Sequence, residues 1–211
     1  MSQHRATSSV AWGLTAVLLI AASGCSSPST SPTPTSPSPV PAPAPAPQLP
    51  RVDPAGLTPR TSYTIGFSSL RDNRAPFLTY EESGMTIAPL SGDWITMTSF
   101  GNPQPFIQVV GPAGVTVTAE VRITAGGAPF WLTSIDFYSS TTKIPYVLEG
   151  FLNSEPAFTV VDVIGNTFGA FARRPNPSAD VPIQELRIRL SNPSAPCCGN
   201  PMGIDNIVIR R

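Results

Sequence analysis

The chain has 211 residues, with 26 prolines, 12% charged residues, 8% aromatics, and 13 basic against 13 acidic side chains. A formal charge of zero, one lysine (Lys143) and scattered arginines exclude a nucleic-acid protein, because affinity for a phosphate backbone is built from many cationic contacts. The lack of a Gly-X-Y period excludes collagen, and the lack of heptads excludes a coiled coil.

Residues 1–9 carry one arginine and no acid, and Val10–Ala22 is apolar except for Thr15. This is the layout of a secretory signal. The apolar run is 13 residues long, whereas a bilayer-spanning helix needs about 20. The run ends at Ala22-Ser23-Gly24-Cys25, which resembles the lipobox of bacterial lipoproteins. The resemblance implies that residues 1–24 are removed and that Cys25 is acylated, by palmitate among other chains, to become the new N-terminus. An ordinary signal peptide with an incidental thiol at Cys25 is the alternative. Each buried methylene contributes roughly 0.8 kcal/mol, so several chains anchor stably where one does not. Ser26 follows the cysteine, and lipoproteins held at an inner membrane usually carry Asp there. The expected address is therefore the bacterial cell envelope, lipid-anchored at the outer membrane and facing periplasm or cell surface.

Residues 25–50 contain ten of the 26 prolines and no charge. Proline fixes φ and removes backbone donors, so this stretch is expected to be a disordered, polyproline II-rich tether rather than a packed element. An SH3-type or WW-type ligand and a glycosylated stalk are the other readings of that composition.

Residues 51–211 are expected to form one domain. Short runs rich in Val, Ile, Thr, Phe and Tyr alternate with Gly, Pro, Asn and Ser clusters: residues 61–67, 77–83, 85–90, 94–99, 106–110, 115–125, 130–140, 146–152, 157–164, 183–190 and 204–210. Val115, Val117, Ala119, Val121 and Ile123 alternate with Thr116, Thr118, Glu120, Arg122 and Thr124, and Leu186, Ile188 and Leu190 alternate with Arg187 and Arg189. Period 2 of this kind marks half-buried strands with one wet face. No helical period persists beyond about two turns. The expected fold is all-β, an antiparallel, jelly-roll-like β-sandwich of about ten strands.

Two segments break the alternation. Phe130 and Leu132 share one parity, Ile135 and Phe137 the other, and a bulge near Thr133-Ser134 reconciles them. It turns all four inward and leaves Trp131, Asp136 and Tyr138 on the opposite face. The same slip recurs at Asp205-Asn206.

Tyr80-Glu81-Glu82-Ser83-Gly84-Met85, the central Ser134–Ser140 segment and the closing Gly203–Ile209 segment together resemble bacterial exported β-sandwich modules. These are related in look to galactose-binding-like jelly rolls and carbohydrate-binding modules. The resemblance implies a structural calcium to which Asp205 contributes. The first-strand acid often found after a Phe is Ser68 here, following Phe67.

His4 is the only histidine and lies in the segment expected to be removed. A Ser-His-Asp triad, a Cys-His pair and a His-ligated metal site therefore cannot be built. No phosphate-cradling glycine motif occurs. A histidine-free glycosidase would need only two acids about 5 to 10 Å apart, with Glu81, Glu82, Asp93, Asp136, Glu149 and Asp162 as material, and it trails the binding readings. Sugar binding needs an aromatic face and a few planar polar groups. Trp131, Asp136 and Tyr138 are the candidate ligand-binding residues, with Trp94 or Tyr146 nearby; packing roles for Trp94, Trp131 and Tyr138 are the alternative. Cys197 and Cys198 are adjacent. A vicinal disulfide is the preferred state in an oxidising exterior, ahead of two free thiols or a bridge to another chain. The expected function is a membrane-anchored binding module for a polysaccharide or another envelope component. The alternative is a protein–protein adaptor of the envelope with no small ligand.

Overall fold

The computed structural model describes residues 53–59, 61–99, 101–193 and 198–211. The expected leader, lipidation at Cys25 and the proline tether lie outside the described residues, as does Cys197. Twelve strands follow in chain order: β1 (Ser62–Ile65), β2 (Tyr80–Glu82), β3 (Met85–Ser91), β4 (Ile95–Met97), β5 (Phe106–Gly111), β6 (Val117–Thr124), β7 (Trp131–Ser139), β8 (Ile144–Leu152), β9 (Glu155–Ile164), β10 (Ala172–Pro175), β11 (Glu185–Asn192) and β12 (Asn200–Arg210). There is no helix among the described residues. The strands form two six-stranded antiparallel sheets, confirming the all-β sandwich.

In the first sheet the order is β10-β7-β12-β5-β4. β1 joins the same edge of β12 as β5, further along: β5 pairs Asn200–Ile204 and β1 pairs Ile207–Arg210. The second sheet runs β2-β3-β6-β11-β8-β9. Ten of the expected runs coincide with a single strand; the run 77–83 yields only the short β2. β10 (Ala-Arg-Arg-Pro) was not expected, because two arginines before a proline carry no apolar alternation.

Alternation decides which side chains meet between the sheets. Val121, Ile123, Leu186, Ile188, Leu190 and Leu148 from the second sheet pack against Leu132, Ile135, Phe137, Ile204, Ile207 and Ile209 from the first. β-branched side chains dominate because they fit a pleated, half-buried surface. At Gly150 a Cβ would collide with the Phe158 ring, so glycine there admits Phe158 to the interior, and the β8–β9 register shifts at this point. The β8–β9 hairpin turns on Asn153 and Ser154, both at positive φ, as a two-residue primed turn requires.

Both irregular segments are bulged. Pairing of β7 with β12 slips between Asp136/Asp205 and Ser134/Val208, where β12 carries an extra residue, and again before Leu132/Ile209, where β7 carries one. Asn206, in the β12 bulge, has φ 43°. Phe130, Leu132, Ile135 and Phe137 accordingly all enter the core, while Trp131, Asp136 and Tyr138 point the other way.

Candidate functional site

The outer face of the first sheet is closed over β7, while a groove of about 420 Å³ lined by Asn73, Arg74, Met97, Gln108 and Pro201 lies further along the sheet. Trp131, Asp136 and Tyr138 are 4%, 7% and 2% exposed, so they do not form an open ligand platform. Parity along a strand reports direction, not what lies over it. Tyr138 packs against Phe106 and Phe171, whose centroids are 6.1 and 5.7 Å away, and Phe106 and Phe171 meet edge-on at 5.1 Å. Asp136 accepts two hydrogen bonds from Arg173, Nε at 2.9 Å and Nη2 at 3.3 Å, and one from Asn206 Nδ2 at 3.1 Å. Arg210, paired with Trp131 across the sheet, donates to the Ala179 carbonyl at 2.6 Å and pairs with Asp180 at 3.0 Å. This fastens the 179–180 segment beside Trp131. Trp94 and Tyr146 belong to the main core.

Asp205 lies directly opposite Asp136 and is 1% exposed. Burial pushes its carboxyl up to about 7; the Asn206 backbone N–H pulls it down, and Asp136 and Glu82 push it further up. Its Oδ1 has no hydrogen-bond partner. The neighbouring acids are engaged: Glu82 Oε2 accepts from the Gly66 and Phe67 backbone N–H groups and Oε1 from the Ser68 hydroxyl. Tyr80 and Glu82 together clamp the turn after β1, since the Ser69 backbone N–H donates to the Tyr80 hydroxyl. This is what the Tyr80–Met85 segment does in the fold. Among the described residues no three His, Cys, Asp or Glu side chains are grouped to hold a metal.

Two further acids, Glu149 and Asp162, are also engaged. Glu149 meets Arg189, and Asp162 accepts from the Tyr146 hydroxyl at 3.1 Å. Burial, with Asp162 beside it, pushes that tyrosine up to about 12. Cys198 is an exposed free thiol at φ 63°, so no disulfide is seen among the described residues. Across a trans peptide two Cα atoms stand about 3.8 Å apart, shorter than the usual disulfide span.

The outer face of the second sheet is open and organised. Register sets Arg122, Arg187 and Glu149 in one cross-strand row, and Glu120, Arg189 and Val147 in the next. Glu185 and Phe151 form a third. Arg189 Nε donates to Glu120 at 2.9 Å and Nη2 to Glu149 at 3.3 Å. Arg187 Nε donates to Glu185 at 2.7 Å, and its guanidinium carbon stands 4.6 Å over the Phe151 ring. A cleft of about 110 Å³ opens here, lined by Phe151, Ser154, Gln184, Glu185 and Arg187. Gln184 is buried at its base, where Oε1 accepts from the Asn153 backbone and Nε2 donates to the Gly127 carbonyl. At strand spacings near 4.8 Å the platform from β3 to β9 is roughly 20 Å wide.

These residues were not singled out from the sequence, although the signal was there. The polar halves of the two alternating strands, Glu120 and Arg122 in β6 and Arg187 and Arg189 in β11, are this face. Only the pairing of β6 with β11 puts them side by side. Two larger grooves flank residues 75–79, one of about 480 Å³ lined by Phe77, Leu78, Pro89, Asp93 and Trp94 among others. The groove beside Trp94 is mostly apolar, whereas the other is of mixed character and includes Arg71 and Asp72.

No protein-family model and no curated protein sequence matches the chain. Among solved structures, it is similar to a variant of the family 29 carbohydrate-binding module CBM29-2, at 15% identity and a TM-score of 0.43, covering 71% of this chain and 90% of that one. It is similar to CBM29_1, a family 29 module from Piromyces equi, at 8% identity and 0.42, covering 71% and 89%. The K2 cleaved adhesin domain of Lys-gingipain follows at 11% identity and 0.38, covering 71% and 97%. Likenesses of this degree assign neither ligand nor residue.

Proposed function

We propose that this domain is a glycan-binding module whose ligand lies across the outer face of the second sheet. The observation that carries the reading is the stack of Arg187 on Phe151 beside Glu185, with Arg189 bridging Glu120 and Glu149. Sugar hydroxyls are recognised by planar groups of both kinds, guanidinium donors and carboxylate acceptors, and a partly exposed aromatic supplies the apolar surface for a ring. The guanidinium and carboxylate groups are already paired, so the face is pre-organised and less side-chain entropy is lost on binding. Isothermal titration against a glycan array's hits tests this: binding is expected to fall at least tenfold in Phe151→Ala and to persist in Tyr138→Phe. Loss in neither variant overturns it.

A protein–protein adaptor is the second reading, favoured by Leu78 and Phe168, which are 76% and 85% exposed. Capture of an envelope protein that is lost in Leu78→Ser or Phe168→Ser, with no glycan binding, supports it instead.

Anchoring through acylated Cys25, with residues 25–50 as spacer at the outer membrane, is part of the proposal and rests on the lipobox residues. Mass spectrometry of the native N-terminus tests it, and an unmodified Cys25 rejects it. A structural calcium at Asp205 is likewise proposed, on its orphaned buried oxygen. A thermal melt raised by calcium and lowered by chelator, the response disappearing in Asp205→Asn, supports it; identical melts reject it.

A further inference from the structure

We infer that the platform reads an acidic glycan, and that Arg122 and Arg187 together form the subsite for its anionic substituent; the inference rests on the glycan-binding reading above. Three acids of the face are held by an arginine, Glu120 and Glu149 by Arg189 and Glu185 by Arg187, while Glu81, in the Thr86–Thr124–Glu185 row on the edge strand β2, is exposed and makes no ion pair among the described residues. Because Arg189 takes two carboxylates, two of the three arginines hold these acids and one is left over. Arg122 is that residue, exposed and without an ion pair among the described residues. It stands directly opposite Arg187 on the neighbouring strand. Its other lateral neighbour is Ala88, which offers no charge.

Like charges directly opposite each other in a sheet repel, with Cβ atoms about 4.5 to 5.5 Å apart. An anion set between them removes that repulsion and accepts from both guanidinium groups. Arg187 is fixed by Phe151 of β8, the strand flanking β11 on the side away from Arg122, and by Glu185 on its own strand, while its Nη1 and Nη2 have no partner among the described residues and remain open to an anion that the Arg122 side chain reaches from β6. The fork of N–H groups matches a carboxylate or a sulfate bidentately. The ring bearing the anion then lies next to Phe151.

The test is titration of the full chain, in detergent, with an oligogalacturonate, a sulfated galactan oligosaccharide and a neutral manno-oligosaccharide of equal length. At least one acidic probe is expected to bind more tightly than the neutral one and to weaken with salt. Which acidic probe wins distinguishes carboxylate from sulfate. Arg122→Gln is expected to weaken that probe by roughly 10- to 100-fold, as loss of a charged hydrogen bond does, and to leave neutral binding unchanged. Arg122→Lys is expected to restore part of the loss. Neutral binding that Phe151→Ala abolishes, with acidic probes no tighter and Arg122→Gln silent, overturns the acidic-glycan inference and leaves the glycan reading standing. No binding of any probe overturns both.

Discussion

On the outer face of the first sheet, Trp131, Asp136 and Tyr138 are covered by Phe171, Arg173 and the 179–180 segment; on that of the second, Phe151, Arg122, Arg187 and Arg189 meet solvent. Both faces are the outward halves of alternating strands. They differ in what the connections do. The segments either side of β10 pass across the first sheet, whereas the second sheet is joined at its β8–β9 edge by a two-residue turn that leaves its face bare. Burial has therefore converted one set of polar and aromatic groups into packing and left the other to bind.

The largest effect is expected at Tyr138. Tyr138→Ala removes a ring packed on Phe106 and Phe171, and the expected loss is about 3 to 5 kcal/mol of stability by urea unfolding. A loss below about 1 kcal/mol would mean that this face is open in solution.

Next comes Asp205. Its folded value near 7 lies above that of an unfolded aspartate, so the native state holds the extra proton. The contribution is fully present below about pH 4 and is lost as pH rises to about 7, on the order of 2 to 4 kcal/mol in all. In Asp205→Asn the decline across that window is expected to flatten. An unchanged profile would show that Asp205 is ionised throughout, and if calcium removes the slope in the wild type the cation has taken over the charge.

Gly111 gives a smaller effect. A Cβ there collides with the buried Asn192 side chain, which is hydrogen-bonded through Oδ1 to Asn200 at 3.1 Å. Gly111→Ala is expected to cost about 1 to 3 kcal/mol through overpacking. A neutral substitution would indicate that the β11–β12 end yields freely.

On the open face the smallest change is expected. Arg189→Gln breaks two partly exposed ion pairs, and exposed pairs contribute about 0 to 1 kcal/mol. The informative outcome is a melt within about 2 to 3 °C of wild type together with weakened glycan binding. A large drop in stability would make this network structural, like the packing around Tyr138.

Much of this was legible along the chain. The period-2 runs locate nearly every strand, and the parity slips at Thr133-Ser134 and Asp205-Asn206 locate two real bulges, because a face that must be buried tolerates no unpaired shift. The platform was visible only as two separate polar half-strands. Trp131 and Tyr138 were more conspicuous, since large aromatics at outward parity look available until the segment that covers them is placed.

The sequence by itself determined that the C-terminal domain is a β-sandwich, which side chains point inward, and that the described chain has no histidine chemistry, because water's exclusion of alternating apolar residues is a local property of each strand. Only the tertiary structure decided which outward face stays wet and which arginines become neighbours. Strand order and loop paths are set by contacts between residues far apart in sequence, and no local pattern encodes them.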